Sequence, residues 1–349
     1  MGFVMIGTHL RKYHPEEGET SVIVPEEAEY IDTYALSGTI DRECRKIERV
    51  EFPDSIKHFT GHVLEYCTSL KEVVLPANLQ SIVPYFFYEC RALEQIQLPS
   101  TVEKIGQEAF THCESLKEID FPVNLRFIDR EAFQYCRNLQ RVRFSDNLRT
   151  ISKSAFFYCQ NLNSVEFPEQ RLHLEGWAFC CCGLKEVTLS LPIQMAAFAF
   201  DRNVILHIRT NDGILTMPFD DWAGNQDETY FIQFLESPSE EIFQNIRKTR
   251  YKILLAQYML KYHPEQEFYQ KYVKRNIRKI MKLFIDQQAS DSIQNLLETG
   301  YITKKNIDEL IIYALDKQKH EMQILLMNWK QKHIKSESIE KQISRKFRL

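Results

Sequence analysis

Residues Ala109–Pro122 read AFTHCESLKEIDFP, and the role of Cys113 in that stretch decides the fold. The stretch from Ala132 is AFQYCRNLQRVRF and the one from Ala155 is AFFYCQNLNSVEF, so the same word returns with its cysteine in the same place. Working outward, cysteines stand at Cys67, Cys90, Cys113, Cys136, Cys159 and Cys182, each 23 residues after the last. Three residues before each comes Leu64, Phe87, Phe110, Phe133, Phe156 or Phe179, and eight before comes Phe59, Ile82, Ile105, Ile128, Ile151 or Leu174. Leucine follows three residues after the first five, and the sixth copy reaches Leu184 one residue early. A period-2 apolar pair such as Ile119/Phe121 or Val142/Phe144 closes each unit, and Pro76, Pro99, Pro122 and Pro168 end it, since proline offers no ladder donor.

A fixed period of this length with leucine-spaced apolar columns is the signature of a leucine-rich-repeat solenoid. Each unit reads as one short strand, a turn and a looser return, which predicts an α/β-type repeat solenoid with a parallel β-sheet on one face. Single units cannot bury both of their faces, so they depend on stacking. A cysteine in phase with Phe and Leu is then a small apolar plug. Zinc would need paired cysteines converging on one point, and disulfides would need facing Cβ vectors, whereas a stacked column makes its thiols parallel. Cys180, Cys181 and Cys182 are consecutive, but with no histidine or further cysteine nearby they read as a cysteine-rich turn.

The columns I-x-x-x-A-F-x-x-C-x-x-L-x-x-V-x-F-P, running from about Val22 to Arg209, resemble the BspA-like leucine-rich repeats of bacterial and protozoan proteins. The resemblance implies that the lead-in FVMIGTHLRKYHPEEGETSVIVP forms a hairpin cap, and that the helical tail is one that accompanies some such arrays. It also implies a binding role, because relatives include surface proteins that bind host matrix. It supplies no catalytic residues.

The chain has 349 residues with 44% apolar and 26% charged residues, the balance of a globular protein. No run of eighteen apolar residues is present, so no membrane span is expected. The start of the chain shows no basic, apolar and small-residue succession of a secretory signal. Together with a ladder of reduced thiols, that predicts a cytoplasmic location; a cell-surface location would follow if a signal had been removed. Net charge splits unevenly. Residues 1–240 hold 22 Lys/Arg and 36 Asp/Glu (−14), and residues 241–349 hold 22 and 12 (+10), so two modules of opposite sign are expected.

The organisation read from the sequence is an N-terminal cap over 1–21, a solenoid over 22–210, a transition over 211–238 and an all-α helical-hairpin domain over 239–349. In the last, SEEIFQNIRKTRYKILLAQYMLKYHP reads as one helix from the N-cap Ser239 to Pro264, and Tyr269, Val273, Ile277, Ile280, Leu283 and Phe284 share a later face. The acidic residues Asp220, Asp221, Asp227 and Glu228 do not match calcium-loop spacing. The basic run Lys271–Lys279 has no nucleic-acid motif beside it, and Ser336–Leu349 reads as a polar, frayed end.

Alternate strand positions should point outward and form a partner-binding face. They are Arg49 and Glu51, Glu72, Gln95 and Gln97, Glu118 and Asp120, Arg141 and Arg143, Glu166, and Glu186. Glu118, Asp120, Arg141, Arg143 and Glu166 are close enough across adjacent strands to form an ion-pair network. An aromatic column of Tyr66, Tyr88, His112, Tyr135 and Tyr158 stands just before the cysteines, either stacking on itself or offering rings to a sugar or an apolar side chain. No phosphate loop, G-x-S-x-G or H-E-x-x-H motif occurs. The function expected is a non-enzymatic scaffold for a protein or peptide partner, with no cofactor, metal or nucleic acid; an exported binder of host matrix protein or glycan is the alternative.

Overall fold

The computed structural model describes residues 2–196, 198–218 and 226–334. The chain divides into two compact units, 1–245 and 246–349. The first is a β-solenoid with LRR-like repeats, and the second is all helical.

A hairpin of strands Gly2–Ile6 and His9–His14 opens the solenoid, turning at Gly7, whose φ of +59° suits glycine. His9–His14 then pairs in parallel with Tyr30–Ile31, which pairs with His58–Phe59. The column eight residues before each cysteine then forms a separate six-stranded sheet, running through Ser81–Ile82, Lys104–Ile105, Phe127–Ile128, Thr150–Ile151, Leu172–Leu174 and Ile193–Met195. The return segment, expected to be looser, thus carries a strand of its own. The period-2 pairs form a second parallel ladder. Ser21–Ile23, Arg49–Glu51 and Glu72–Val74 lie side by side, as do Arg141–Arg143 and Ser164–Glu166. Between them only the isolated bridges Gln97↔Asp120 and Glu118↔Arg141 maintain the pairing. In a separate three-stranded sheet Glu186–Ser190 pairs in parallel with Ile205–Arg209, against which Ile214–Pro218 runs antiparallel.

The edge bearing the cysteines is also hydrogen-bonded from coil to coil. The N–H groups of Glu108, Phe110 and His112 reach the carbonyls of Arg130, Ala132 and Gln134 at 3.0, 2.7 and 2.9 Å, and the next coil repeats the pattern. To aim these donors, the backbone enters the left-handed region twice per coil at residues with side chains, for example Glu108 and His112 at φ +53° and +61°, and Glu131 and Tyr135 at +60° and +59°. Each such residue costs about 1 kcal/mol, which an inter-coil hydrogen bond of about 1 kcal/mol offsets.

Inside, the Phe87, Phe110, Phe133, Phe156 and Phe179 rings lie in a stack with centroids 4.9–5.0 Å apart. Beside it the cysteines from Cys67 to Cys159 are fully buried. Each thiol donates to a carbonyl of the preceding coil: Cys113 to Phe87 at 3.2 Å, Cys136 to Phe110 at 3.1 Å and Cys159 to Phe133 at 3.2 Å. A valine would fill the space but leave that carbonyl without its second donor. Cys44, one period before Cys67, is buried too, on a 3-10 helix over Arg42–Lys46 that the sequence reading did not anticipate. After Cys182 the coil shortens at Gly183, where a Cβ would come within 2.9 Å of the Gln160 carbonyl oxygen. Replacing Phe133 by alanine opens the middle of the stack and should cost about 3–5 kcal/mol, read as a fall in the urea midpoint; an unchanged midpoint would mean that the rings do not form the core.

Among the described residues seven α-helices follow: α1 Gln226–Glu236, α2 Glu240–Asn245, α3 Thr249–Tyr262, α4 Glu267–Gln287, α5 Ser290–Glu298, α6 Lys304–Asp316 and α7 His320–His333. The single helix expected from Ser239 to Pro264 is broken between α2 and α3. Ser239 does cap α2, its hydroxyl accepting from the Ile242 N–H at 3.2 Å, but Ile246 is buried at the break and preserves the apolar spacing on both sides of it. Periodicity alone therefore hid the interruption. Residues 211–238 include the strand Ile214–Pro218 and all of α1. Asp227 and Glu228 stand in the first turn of α1, where carboxylates oppose the positive end of the helix dipole. Asp220, Asp221 and Ser336–Leu349 lie outside the described residues.

Candidate functional site

Along the second ladder apolar positions turn inward and their neighbours outward, although Val165 is only half-buried. Val50, Ile96, Ile119, Val142 and Val187 are buried, so Arg49/Glu51, Gln95/Gln97, Glu118/Asp120, Arg141/Arg143 and Glu186/Thr188 project outward. Register sets Arg49 against Glu72, Glu118 against Arg141, and Arg143 against Glu166.

Only part of the expected charge network closes. Arg49 holds Glu51 at 2.8 Å and also pairs with Glu72, which keeps its guanidinium above its ordinary pKa. Arg143 meets Glu166 at 3.1 Å, and Glu186 meets His207 at 3.5 Å. Among the described residues Glu118, Asp120 and Arg141 form no ion pair. On this ladder their segments pair through isolated bridges rather than full strands, and an exposed pair worth about 0–1 kcal/mol does not hold side chains together against solvent.

Two open hollows lie along this face, of about 1080 and 1000 Å³, and Asp120 lines both. Their linings carry eight acidic side chains against Lys71, Arg143 and Arg209, a net −5 with His207 neutral. Lys117, 2.6 Å from Glu94, holds that carboxyl below the usual carboxylate range. Phe121, Phe144 and Phe167 form an apolar row in the second hollow, with centroids 5.2 and 5.9 Å apart. Phe144 is buried, as its place in a period-2 apolar pair leads one to expect. Phe121 and Phe167 are half-buried because they sit at strand ends, and the proline that follows each was the available signal. Glu169 and Arg209, paired at 2.7 Å across that hollow, were also missed. They are 40 residues apart, and no repeat phase links them.

The aromatic column lies elsewhere, on the left-handed turns. Tyr66 and Tyr88 are 5.6 Å apart, Tyr88 and His112 6.4 Å, His112 and Tyr135 4.6 Å, and Tyr135 and Tyr158 5.2 Å. The rings cover one another and are half-buried, and burial pushes the Tyr88 hydroxyl up to about 12. None of them lines either hollow.

All nine cysteines are free. Cys180 donates to the Phe198 carbonyl at 3.1 Å, and the Cys181 N–H donates to Asp201 at 3.0 Å. Among the described residues no group of three or more His, Cys, Asp or Glu side chains could hold a metal ion, and no helix is long and apolar enough to cross a membrane.

The coil geometry agrees with a comparison against known families. The model for the BspA type leucine rich repeat region, in 6 copies, matches residues 17–93 and 80–205, more than half of the chain. The chain belongs to this family. As a BspA-type array, the first unit is a scaffold for protein interaction in the general manner of repeat surfaces. No protein of curated function matches the chain. Among solved structures, a leucine-rich-repeat protein of T. pallidum is 26% identical, covering 50% of this chain and 80% of its own, with a TM-score of 0.46. One from Bacteroides ovatus is 21% identical, covering 59% and 61%, with a TM-score of 0.43. A leucine-rich cell surface protein of Faecalibacterium prausnitzii is 19% identical, covering 60% and 57%, with a TM-score of 0.37. This chain thus spans less than two thirds of the length of the last two.

Proposed function

We propose that the BspA-type array binds, without catalysis, an extended basic segment of a partner protein along the outward face of its second ladder. The observation that carries this reading is the unpaired Glu118 and Asp120 where two acidic hollows meet. Charges that no neighbour has neutralised remain available to a partner's lysines and arginines. The Phe121, Phe144 and Phe167 row supplies an apolar contact beside them. Arg141, also unpaired, places one positive charge within the acidic run, so a partner with a lysine opposite it is rejected. Nine unpaired thiols support a reducing compartment, which favours the cytoplasm.

The test is a lysine- and alanine-based peptide titrated against the full chain by fluorescence anisotropy. Reversing Glu118→Lys together with Asp120→Lys should weaken binding at least about tenfold while leaving the urea midpoint unchanged. Arg141→Glu should strengthen it. Equal affinity in all three proteins would remove this face from consideration.

A further inference from the structure

Four large apolar side chains of the helical unit stand open to water on one hairpin: Ile312 (58% exposed) and Leu315 (49%) on α6, and Ile324 (58%) and Met327 (50%) on α7. The ion pair between Asp308 and Lys330, at 2.5 Å, fixes the register of these antiparallel helices. Stepping along both helices from that pair sets Ile312 beside Met327 and Leu315 beside Ile324, in one patch. The opposite side of the hairpin is closed. Ile307, Leu310, Ala314, Met322 and Leu326 are buried there, where α6 packs on α4 and α7 on α5. The open side is therefore the face that a further helix would cover in a stack of helical hairpins.

We propose that this outer face of α6 and α7 receives an amphipathic helix of another protein, one whose apolar stripe is flanked by acidic residues. Charge selects the occupant. Residues 246–334 hold 17 Lys/Arg against 9 Asp/Glu, a net +8. On the hairpin itself the acids Asp308 and Glu309 are already held, by Lys330 and by Arg278 with Lys282. Among the described residues Lys304, Lys305, Lys317, Lys319 and Lys332 make no ion pair, and on the hairpin Asp316 and Glu321 are the acids left to oppose them. A second copy of this chain would bring the same positive charge to the contact, whereas an acidic helix neutralises it. Helix recognition of this kind depends on apolar anchors one turn apart, which is how the four side chains are spaced.

The probe is a labelled peptide of about 20 residues built from leucine and glutamate, with leucines at helical spacing, beside a scrambled peptide of the same composition. The full chain should bind the patterned peptide and not the scrambled one. Ile312→Glu with Ile324→Glu should weaken binding at least about tenfold without changing helical content or the melting temperature. Raising salt from about 50 to 300 mM should weaken it several-fold. The proposal is overturned if the scrambled peptide binds as well, if the double variant binds undiminished, or if the unmodified chain runs as a dimer that the variant converts to a monomer, since a second copy then occupies the face.

Discussion

Moving the protein from pH 7 to pH 10 should remove roughly 8 kcal/mol of its stability and unfold the solenoid. Burial raises the thiol of Cys44 from its ordinary value of 9.0 to about 12. Burial also lifts Cys67, Cys90, Cys113, Cys136 and Cys159 above that value. A thiol is neutral when protonated, and here the folded state keeps it so to a higher pH than the unfolded chain does. Its contribution is therefore fully present below pH 9 and drains away as the pH rises past 9 toward the folded value. At pH 10 each of the six thiols in the unfolded chain has gained about 1.4 kcal/mol by ionising, and together they match the net stability of an ordinary domain. Tyr88, raised from 10.0 to about 12, adds in the same direction at higher pH. Urea midpoints measured at each pH unit provide the check. Cys136→Ala should lower the midpoint at pH 7 through its lost hydrogen bond, worth about 1 kcal/mol, yet flatten the pH dependence by about 1.4 kcal/mol. A midpoint that holds steady between pH 8 and pH 10 would show that the sulfurs are not sealed in the core.

Excising Glu103–Leu125, one whole period of 23 residues, should leave a cooperative solenoid with one coil fewer. The junction reproduces the buried columns it removes, but it sets Asp129 at the phase of Gly106, where a Cβ would come within 2.8 Å of the Ile82 and Pro84 backbone, so the excision is made together with Asp129→Gly. Phe87 meets Phe133 in place of Phe110, and Cys136 donates to the Phe87 carbonyl as Cys113 does now. Tyr85, which donates to Glu108 at 2.8 Å, finds Glu131 at the same phase. Cutting out Glu103–Glu114 instead, half a coil, should abolish the fold, because it sets a buried column against an outward one and leaves the turn donors without acceptors. Far-ultraviolet circular dichroism and thiol accessibility separate the two outcomes. Equal damage from both deletions would mean that the coils are not interchangeable.

Much of the architecture was legible because its core repeats. Phe110, Cys113 and Leu116 recur in phase, and phase alone identifies which side chains lie inside. Cys44 escaped, although it precedes Cys67 by one period, because its coil lacks the surrounding Ala-Phe word. The left-handed turns at Glu108, His112 and Tyr135 could not be read from residue type. Glycine or asparagine is the usual sign of that conformation, and here hydrogen bonds from the next coil impose it on residues with bulky side chains. The strand of the return segment was hidden for a related reason. Two residues such as Phe127–Ile128 pair only because neighbouring coils supply partners on both sides.

Of the interaction face, alternation revealed which residues point outward, but not which of them would find partners. Glu118 and Arg141 stand in register without pairing, while Arg143 and Glu166 close to 3.1 Å. Periodicity in the chain determined the coil, its buried columns and the family, since these follow from apolar spacing that any stack of equal units must satisfy. Only the tertiary structure decided which surface charges neutralise one another and where hollows open, because those depend on how neighbouring coils pair locally and on contacts such as that between Glu169 and the strand residue Arg209, which no repeat phase links.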